Sequence, residues 1–291
     1  MIDVRGLTEW GGLPQVPLAE AQVVVAGIPY DGSAVYRRGA AEGPAAIRRL
    51  SAVMPPLTER GRPFGELAIH DLGDLEMGTS VESGWPPIAD ALQAVPPQAL
   101  LTVLGGDHCS MIPVLAAQMR RHPELVLLWV DAHPDLCEWS RGGRWTCGCA
   151  LRRAVEVAGL PSSRLILVGC RDFDPEEVEW LDAESARMLT AADVAGDPRF
   201  ADRVVEAIGG RPVHVSFDID ALDPAHAPGT EIASAGGLTT RQALDLLEAV
   251  AGASRLVGFD VMEVAPPLDQ SDITALAALK LIFETWGRLA R

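Results

Sequence analysis

Eight short apolar runs, rich in β-branched residues and spread over the whole chain, constrain the fold more than any other feature of the sequence. They are Val23–Gly27, Leu67–Asp71, Leu100–Leu104, Leu125–Val130, Leu165–Gly169, Ala186–Leu189, Val213–Phe217 and Leu256–Phe259. Near-continuous runs of this length read as strands covered on both faces, the condition of strands in a parallel sheet. Stretches suited to helices lie between them: Gly43–Arg49, Ser110–Arg121, Cys149–Ala158, Ala201–Ile208, Thr239–Ala251 and Thr274–Leu289. Alternation of strand, helix and strand predicts right-handed crossovers and an open sheet. The expectation is one α/β domain over residues 1–291, with a parallel eight-stranded sheet flanked by helices. Thr239, with Gln242 three residues on, predicts a capping box after the Gly236-Gly237 turn.

Charge narrows the partners. The chain has 24 Lys and Arg against 40 Asp and Glu, a net charge of −16. That balance disfavours nucleic acid and anionic membrane surfaces, and leaves cationic substrates and metal ions as fitting ligands. The apolar run Leu125–Val130 is far too short to cross a bilayer. Residues Met1 to Glu20 carry Asp3, Glu9 and Glu20 with Arg5 as the only base, unlike a secretory signal, so a cytoplasmic protein is expected. Five cysteines (Cys109, Cys137, Cys147, Cys149, Cys170) are an odd count without a CxxC pair, which argues against a disulfide framework and a zinc knuckle.

Polar residues and glycines gather at the carboxyl ends of the runs, where open α/β sheets place their ligands. The ends read Gly27-Ile-Pro-Tyr-Asp31, Gly105-Gly-Asp-His108, Asp131-Ala-His-Pro-Asp135, Asp218-Ile-Asp220 and Asp260-Val-Met-Glu263. A spacing of two lets Asp131, His133 and Asp135 point to one side as the chain leaves its strand, and Asp218 and Asp220 repeat the geometry. A lone Asp pair at a strand end is commonly a turn former or a helix cap. Two such sets plus His108, crowded in one pocket, would repel and desolvate one another unless something cationic neutralised them. Two divalent ions would do so, and an oxygen-rich donor set with few imidazoles favours Mn²⁺ over Zn²⁺.

These segments, with Ser216-Phe-Asp-Ile-Asp-Ala-Leu-Asp-Pro224 and Pro228-Gly-Thr230, resemble the ureohydrolases: arginase, agmatinase and formimidoylglutamase. The stretches Gly27–Asp31, Arg37-Arg-Gly-Ala and Gly43-Pro-Ala-Ala-Ile-Arg48 are similar to the agmatinase side of that family. The resemblance implies a three-layer sandwich of the arginase and deacetylase kind. It also implies a binuclear Mn²⁺ centre in which Asp131 and Asp218 bridge, His108 and Asp135 complete one ion, and His133 and Asp220 the other. In that pattern the ions lie about 3.5–4 Å apart and lower the pKa of a shared water. The water attacks the guanidinium carbon, Asp135 hydrogen-bonds it, and Glu263 holds the cationic guanidinium. Urea and an amine leave. A homo-oligomer, trimeric or hexameric, is likewise implied. His70, His122, His214 and His226 fall outside the motifs and read as ordinary surface or core histidines.

Two departures from the family pattern bear on substrate. Cys147, in Cys147-Gly-Cys-Ala-Leu-Arg-Arg153, stands where arginases and agmatinases carry a His thought to shuttle protons. A thiol with a pKa near 8.5 is a poorer shuttle than an imidazole near 6.5, so Cys147 reads as a pocket-wall residue or, alternatively, as a thiolate. After Thr230, Glu231-Ile-Ala-Ser-Ala replaces the family's Gly-Thr-Pro-Glu type of segment. In the loop Glu138–Trp145, Arg141 and Arg144 are candidates to bind a substrate carboxylate, and Trp139 or Trp145 to stack on its chain, unless the loop is simply solvated. The readings are a guanidino hydrolase acting on agmatine or a related compound, a formimino hydrolase releasing formamide, a one-metal Zn²⁺ amide hydrolase of the deacetylase kind, and a non-catalytic binding protein on the same fold.

Overall fold

A computed structural model describes residues 8–184 and 186–289, and Asp3 and Arg5 lie outside them. All eight expected strands form and join one sheet in the order β2-β1-β3-β8-β7-β4-β5-β6, every neighbouring pair parallel. They are β1 (Val23–Ile28), β2 (Ile69–Asp74), β3 (Leu100–Gly105), β4 (Val126–Val130), β5 (Leu165–Val168), β6 (Arg187–Leu189), β7 (Pro212–Asp218) and β8 (Arg255–Met262).

Helices cover both faces, giving three layers. Along β1, Val23 and Val25 join one apolar cluster while Val24, Ala26 and Ile28 join the other, the alternation that a pleated strand imposes. The first cluster takes in α1 (Gly43–Ser51), α6 (Ala191–Gly196), α7 (Phe200–Ile208), α8 (Thr240–Ala253) and α9 (Ile273–Trp286); the second takes in α2 (Val81–Leu92), α3 (Met111–Arg121), α4 (Ala150–Ala158) and α5 (Pro175–Glu184). Continuous burial fails along the edge strands, where β2 is half-exposed after Ile69 and Arg187 of β6 is exposed, and at the first residues of β7 and β8, where Pro212 is half-buried and Arg255 exposed. No helix among the described residues is long and apolar enough to cross a membrane.

The capping box at Thr239 is present, Thr239 Oγ1 accepting from Gln242 N and the Gln242 side chain accepting from Thr239 N. Three helices go beyond those expected from the sequence. The α2 helix contains Pro86 and Pro87, which remove backbone donors, and is started by Ser80. The α5 helix opens Pro175-Glu176-Glu177 and buries only Glu177 and Leu181, too narrow a stripe to show as a period. The six-residue α6 helix does carry a readable signal, the Thr190 and Asp193 capping box. The β8 strand runs three residues past its predicted end because buried Asp260 is satisfied within the sheet, as described below.

Candidate metal centre

The middle four strands, β3, β8, β7 and β4, deliver the site residues at their carboxyl ends. His108 follows β3, Asp131 to Asp135 follow β4, Asp218 and Asp220 close β7, and Glu263 follows β8. Gly106 is needed to bring the turn after β3 into place. A Cβ there would stand 1.9 Å from the Tyr30 carbonyl oxygen, and Gly106 O accepts from Glu263 N at 2.8 Å.

Two donor clusters form, His108 with Asp131 and Asp135, and Asp131 with His133 and Asp220, so Asp131 belongs to both. His108 Nδ1 lies 3.0 Å from Asp131 Oδ2, 2.9 Å from Asp218 Oδ2 and 3.8 Å from Asp135 Oδ2. His133 Nδ1 lies 3.2 Å from Asp220 Oδ2 and 3.5 Å from Asp131 Oδ1. Backbone donors fix one oxygen of three of the four aspartates: Asp131 Oδ1 accepts from His133 N, Asp218 Oδ1 from Asp220 N, and Asp220 Oδ1 from Ala132 N. The loop that carries them is strained in the left-handed region at Asp135 (φ 54°), as is Glu263 (φ 63°). Such conformations cost about 1–3 kcal/mol each for non-glycine residues and cluster at functional sites.

A buried hydrogen-bond chain sets which nitrogen of His108 carries its proton. Ser216 Oγ donates to Asp260 Oδ1 at 2.7 Å, so with its one hydrogen spent it accepts from His108 Nε2 at 3.0 Å. His214 Nε2 donates to Asp260 Oδ2 at 2.5 Å, and Gln118 Nε2 donates to His214 Nδ1 at 3.0 Å. Gly258 makes room for this chain, since a Cβ there would lie 2.0 Å from His214 Nδ1. With the proton on Nε2, His108 turns a lone pair at Nδ1 toward the Asp131 and Asp218 oxygens. The ring is held in plane by Trp129, stacked at 3.7 Å between centroids.

Lone pair against carboxylate is repulsive, so the contact needs a cation or a second proton at Nδ1; burial opposes that proton, but Asp131 outweighs it and raises the His108 pKa. Burial, then the Asp131 charge, pushes the Asp135 carboxyl well above its ordinary range. Burial, then Asp220 and Asp131, does so for Asp218. For Asp131 burial acts upward but His108 and His133 outweigh it and hold the carboxyl low. Asp131 Oδ2 is buried without a hydrogen-bond partner. A cation is what this donor set lacks. Hard oxygen donors with two imidazole nitrogens fit divalent metal ions.

A pocket of about 310 Å³ opens over the cluster. His133, Asp135, Asp218 and Asp220 floor it; Cys147, Glu231 and Glu263 form a buried side; Arg141, Asp172 and Phe173 stand toward the mouth, Arg141 and Asp172 being exposed. Of the sequence candidates, Arg144 is not brought to the pocket. Its guanidinium pairs with Glu138 at 2.7 Å, the acid that also takes Arg153. Neither Trp139 nor Trp145 lines it, and Trp139 is largely exposed. Phe173, Val35 and Ile232 supply apolar surface instead. His214 is a core histidine as expected, but tied through Asp260 and Ser216 to a candidate ligand.

The residue that the motifs missed is Glu231. Its Oε1 accepts from Val35 N at 2.7 Å and from Tyr36 N, and its Oε2 accepts from the Cys147 thiol at 3.4 Å. The thiol also donates toward Ser33 O at 3.3 Å. Burial, then Glu263, Asp107 and Glu231, drives the Cys147 pKa well above the ordinary thiol range, so it stays protonated. All five cysteines are free and buried.

A parallel sheet carrying this donor set at its carboxyl edge defines an α/β fold with a candidate metal centre. The model of the arginase family matches residues 21–287, and the chain belongs to that family. It is 34% identical to proclavaminate amidinohydrolase of Streptomyces clavuligerus, covering 92% of this chain and 88% of that one. A solved structure of that relative has a TM-score of 0.86 at 32% identity and covers 97% of each chain. Guanidinobutyrase of Pseudomonas aeruginosa is 34% identical, covering 89% of this chain and 83% of its own. Agmatinase of Bacillus cereus is 34% identical and covers 91% of both. The chain is thus an enzyme, a hydrolase of the ureohydrolase type.

Proposed function

We propose that the whole chain is one catalytic domain that holds two Mn²⁺ ions and hydrolyses the guanidino C–N bond of agmatine or a related guanidino compound to urea and an amine. The observation that carries this reading is the pair of donor clusters sharing Asp131 beneath a pocket walled by Glu263, whose Oε2 is buried without a partner. His108, Asp131, Asp135 and Asp218 would hold one ion, and Asp131, His133, Asp218 and Asp220 the other. Bound there, such a pair supplies a water acidified to titrate near neutral pH.

The chain's own residues do the rest. Asp135, at the pocket floor, hydrogen-bonds the attacking water. Glu263 Oε1 accepts from His108 N at 2.9 Å, which aims Oε2 at the guanidinium. One water is consumed as the C–N bond breaks: its oxygen becomes the urea carbonyl, and its two protons leave on the amine, which departs as an ammonium. Arg141, with no carboxylate paired to it among the described residues, favours a guanidino acid, whereas Asp172 at the same rim would favour the amine of agmatine. A panel of guanidino acids, agmatine and formimino compounds, assayed with Mn²⁺ for urea and formamide, tests the reading. Urea is expected, and formamide as the only product would overturn it. We further place the protein in the cytoplasm, as a trimer or hexamer, on the family likeness.

Cys147 is proposed as a wall residue. Cys147→Ala should hold kcat/KM within about fivefold, with a pH–rate profile superimposable on wild type, because a thiol kept protonated moves no proton. Loss of about 10²-fold together with a vanished limb is the outcome for a general acid or base and would overturn that role.

A further inference from the structure

Glu231 reaches the pocket from a loop that no strand end supplies, and its placement is built. Its carboxylate is 4% exposed and anchored through Oε1 by two backbone donors of the 33–36 turn, leaving Oε2 toward Cys147 and Glu263. One donor atom each of Cys147, Glu231 and Glu263 lie within 4.8 Å of one another. Glu263, also 4% exposed, presents an unpartnered Oε2 in the same pocket. Among the described residues no lysine or arginine forms an ion pair with either acid; Arg37 is spent on the carbonyl oxygens of Thr230 and Glu231. Two buried carboxylates facing one cavity without a cation are costly, and a ligand cation would relieve both.

We propose that Glu231 and Glu263 form a two-carboxylate clamp, Glu263 taking one N–H edge of the substrate's guanidinium and Glu231 a second. This rests on the guanidino reading above and deepens it. A guanidinium offers N–H donors on every side of its carbon, matching two acceptors. A formimino carbon carries hydrogen in place of one nitrogen, so one carboxylate would face C–H and stay buried and unpaired. Sites built to hydrogen-bond a group reject the analogue that lacks it. Glu231 is thereby a specificity-determining residue for guanidines over formimino compounds.

Methylguanidinium and methylurea are near-isosteres that differ in charge and in donor set, and proton NMR titration of their methyl signals reads binding to the metal-loaded protein without turnover. In Glu231→Gln, which keeps an acceptor for the Val35 and Tyr36 amides, methylguanidinium affinity should fall about tenfold or more, the scale of one charge-assisted hydrogen bond. Methylurea affinity should stay within about twofold, and metal content and Tm should match wild type. Glu231→Asp, which retains the charge on a shorter arm, should lose less and serves where the glutamine variant misfolds. Equal loss of both ligands, or loss of neither, would overturn the clamp and leave Glu231 a structural wall. Wild type that fails to bind methylguanidinium would overturn the guanidino reading itself, and the clamp with it.

Discussion

Asp131→Asn is expected to abolish turnover and strip the protein of metal. Asp131 is the one residue in both donor clusters, with Oδ2 toward His108 and Oδ1 toward His133, so a neutral amide there weakens both candidate ion sites at once. The comparison that gives this meaning is Asp260→Asn. Asp260 belongs to neither donor cluster and is linked to His108 by hydrogen bonds through Ser216, so its loss should cost metal affinity about 10–100-fold, the usual scale for a residue that orients a ligand. Asp131→Asn should exceed that range. Metal content by elemental analysis, measured with kcat, orders the two. Wild-type metal occupancy and rate in Asp131→Asn would refute the ligand assignment.

Glu263→Gln should be nearly as damaging, but on the substrate side. The replacement keeps an oxygen for the His108 amide while removing the charge, and it can turn an N–H toward a cation that needs an acceptor. The scale for leaving a buried charged partner unpaired is roughly 2–4 kcal/mol of transition-state binding, read in kcat/KM. Metal content should be unchanged. Unaltered kinetics, or loss of metal, would each remove Glu263 from the role of guanidinium anchor.

Much of the site is legible in the chain itself, and the pattern of what is not is physical. Ligands just past strand ends reveal themselves because acids and imidazoles crowd the carboxyl ends of apolar runs, although Asp131 to Asp135 lie in a loop and Asp220 in a 3-10 turn, beyond the period-two backbone that their spacing suggests. Side chains joined across the sheet do not reveal themselves in this way. Ser216 and Asp260 meet because β7 and β8 pair in a register that places them opposite one another, and nothing local in either segment states that register. His214 therefore reads from its sequence neighbours as an isolated core residue. Glu231 is hidden for a related reason, since its anchors, Val35 and Tyr36, lie nearly two hundred positions away and bind it through backbone N–H groups that any sequence would supply. Arg144 misleads because loop arginines advertise charge but not direction, and Glu138 takes it.

The number of ions is where the chemistry stands or falls. Equilibrium dialysis of the metal-free protein against Mn²⁺, followed by metal analysis per chain, measures it directly. Binding should saturate at two ions, with Asp131 linking the sites closely enough that occupancy of one alters the other. Saturation at one ion per chain, with full urea-forming activity, would contradict the binuclear centre.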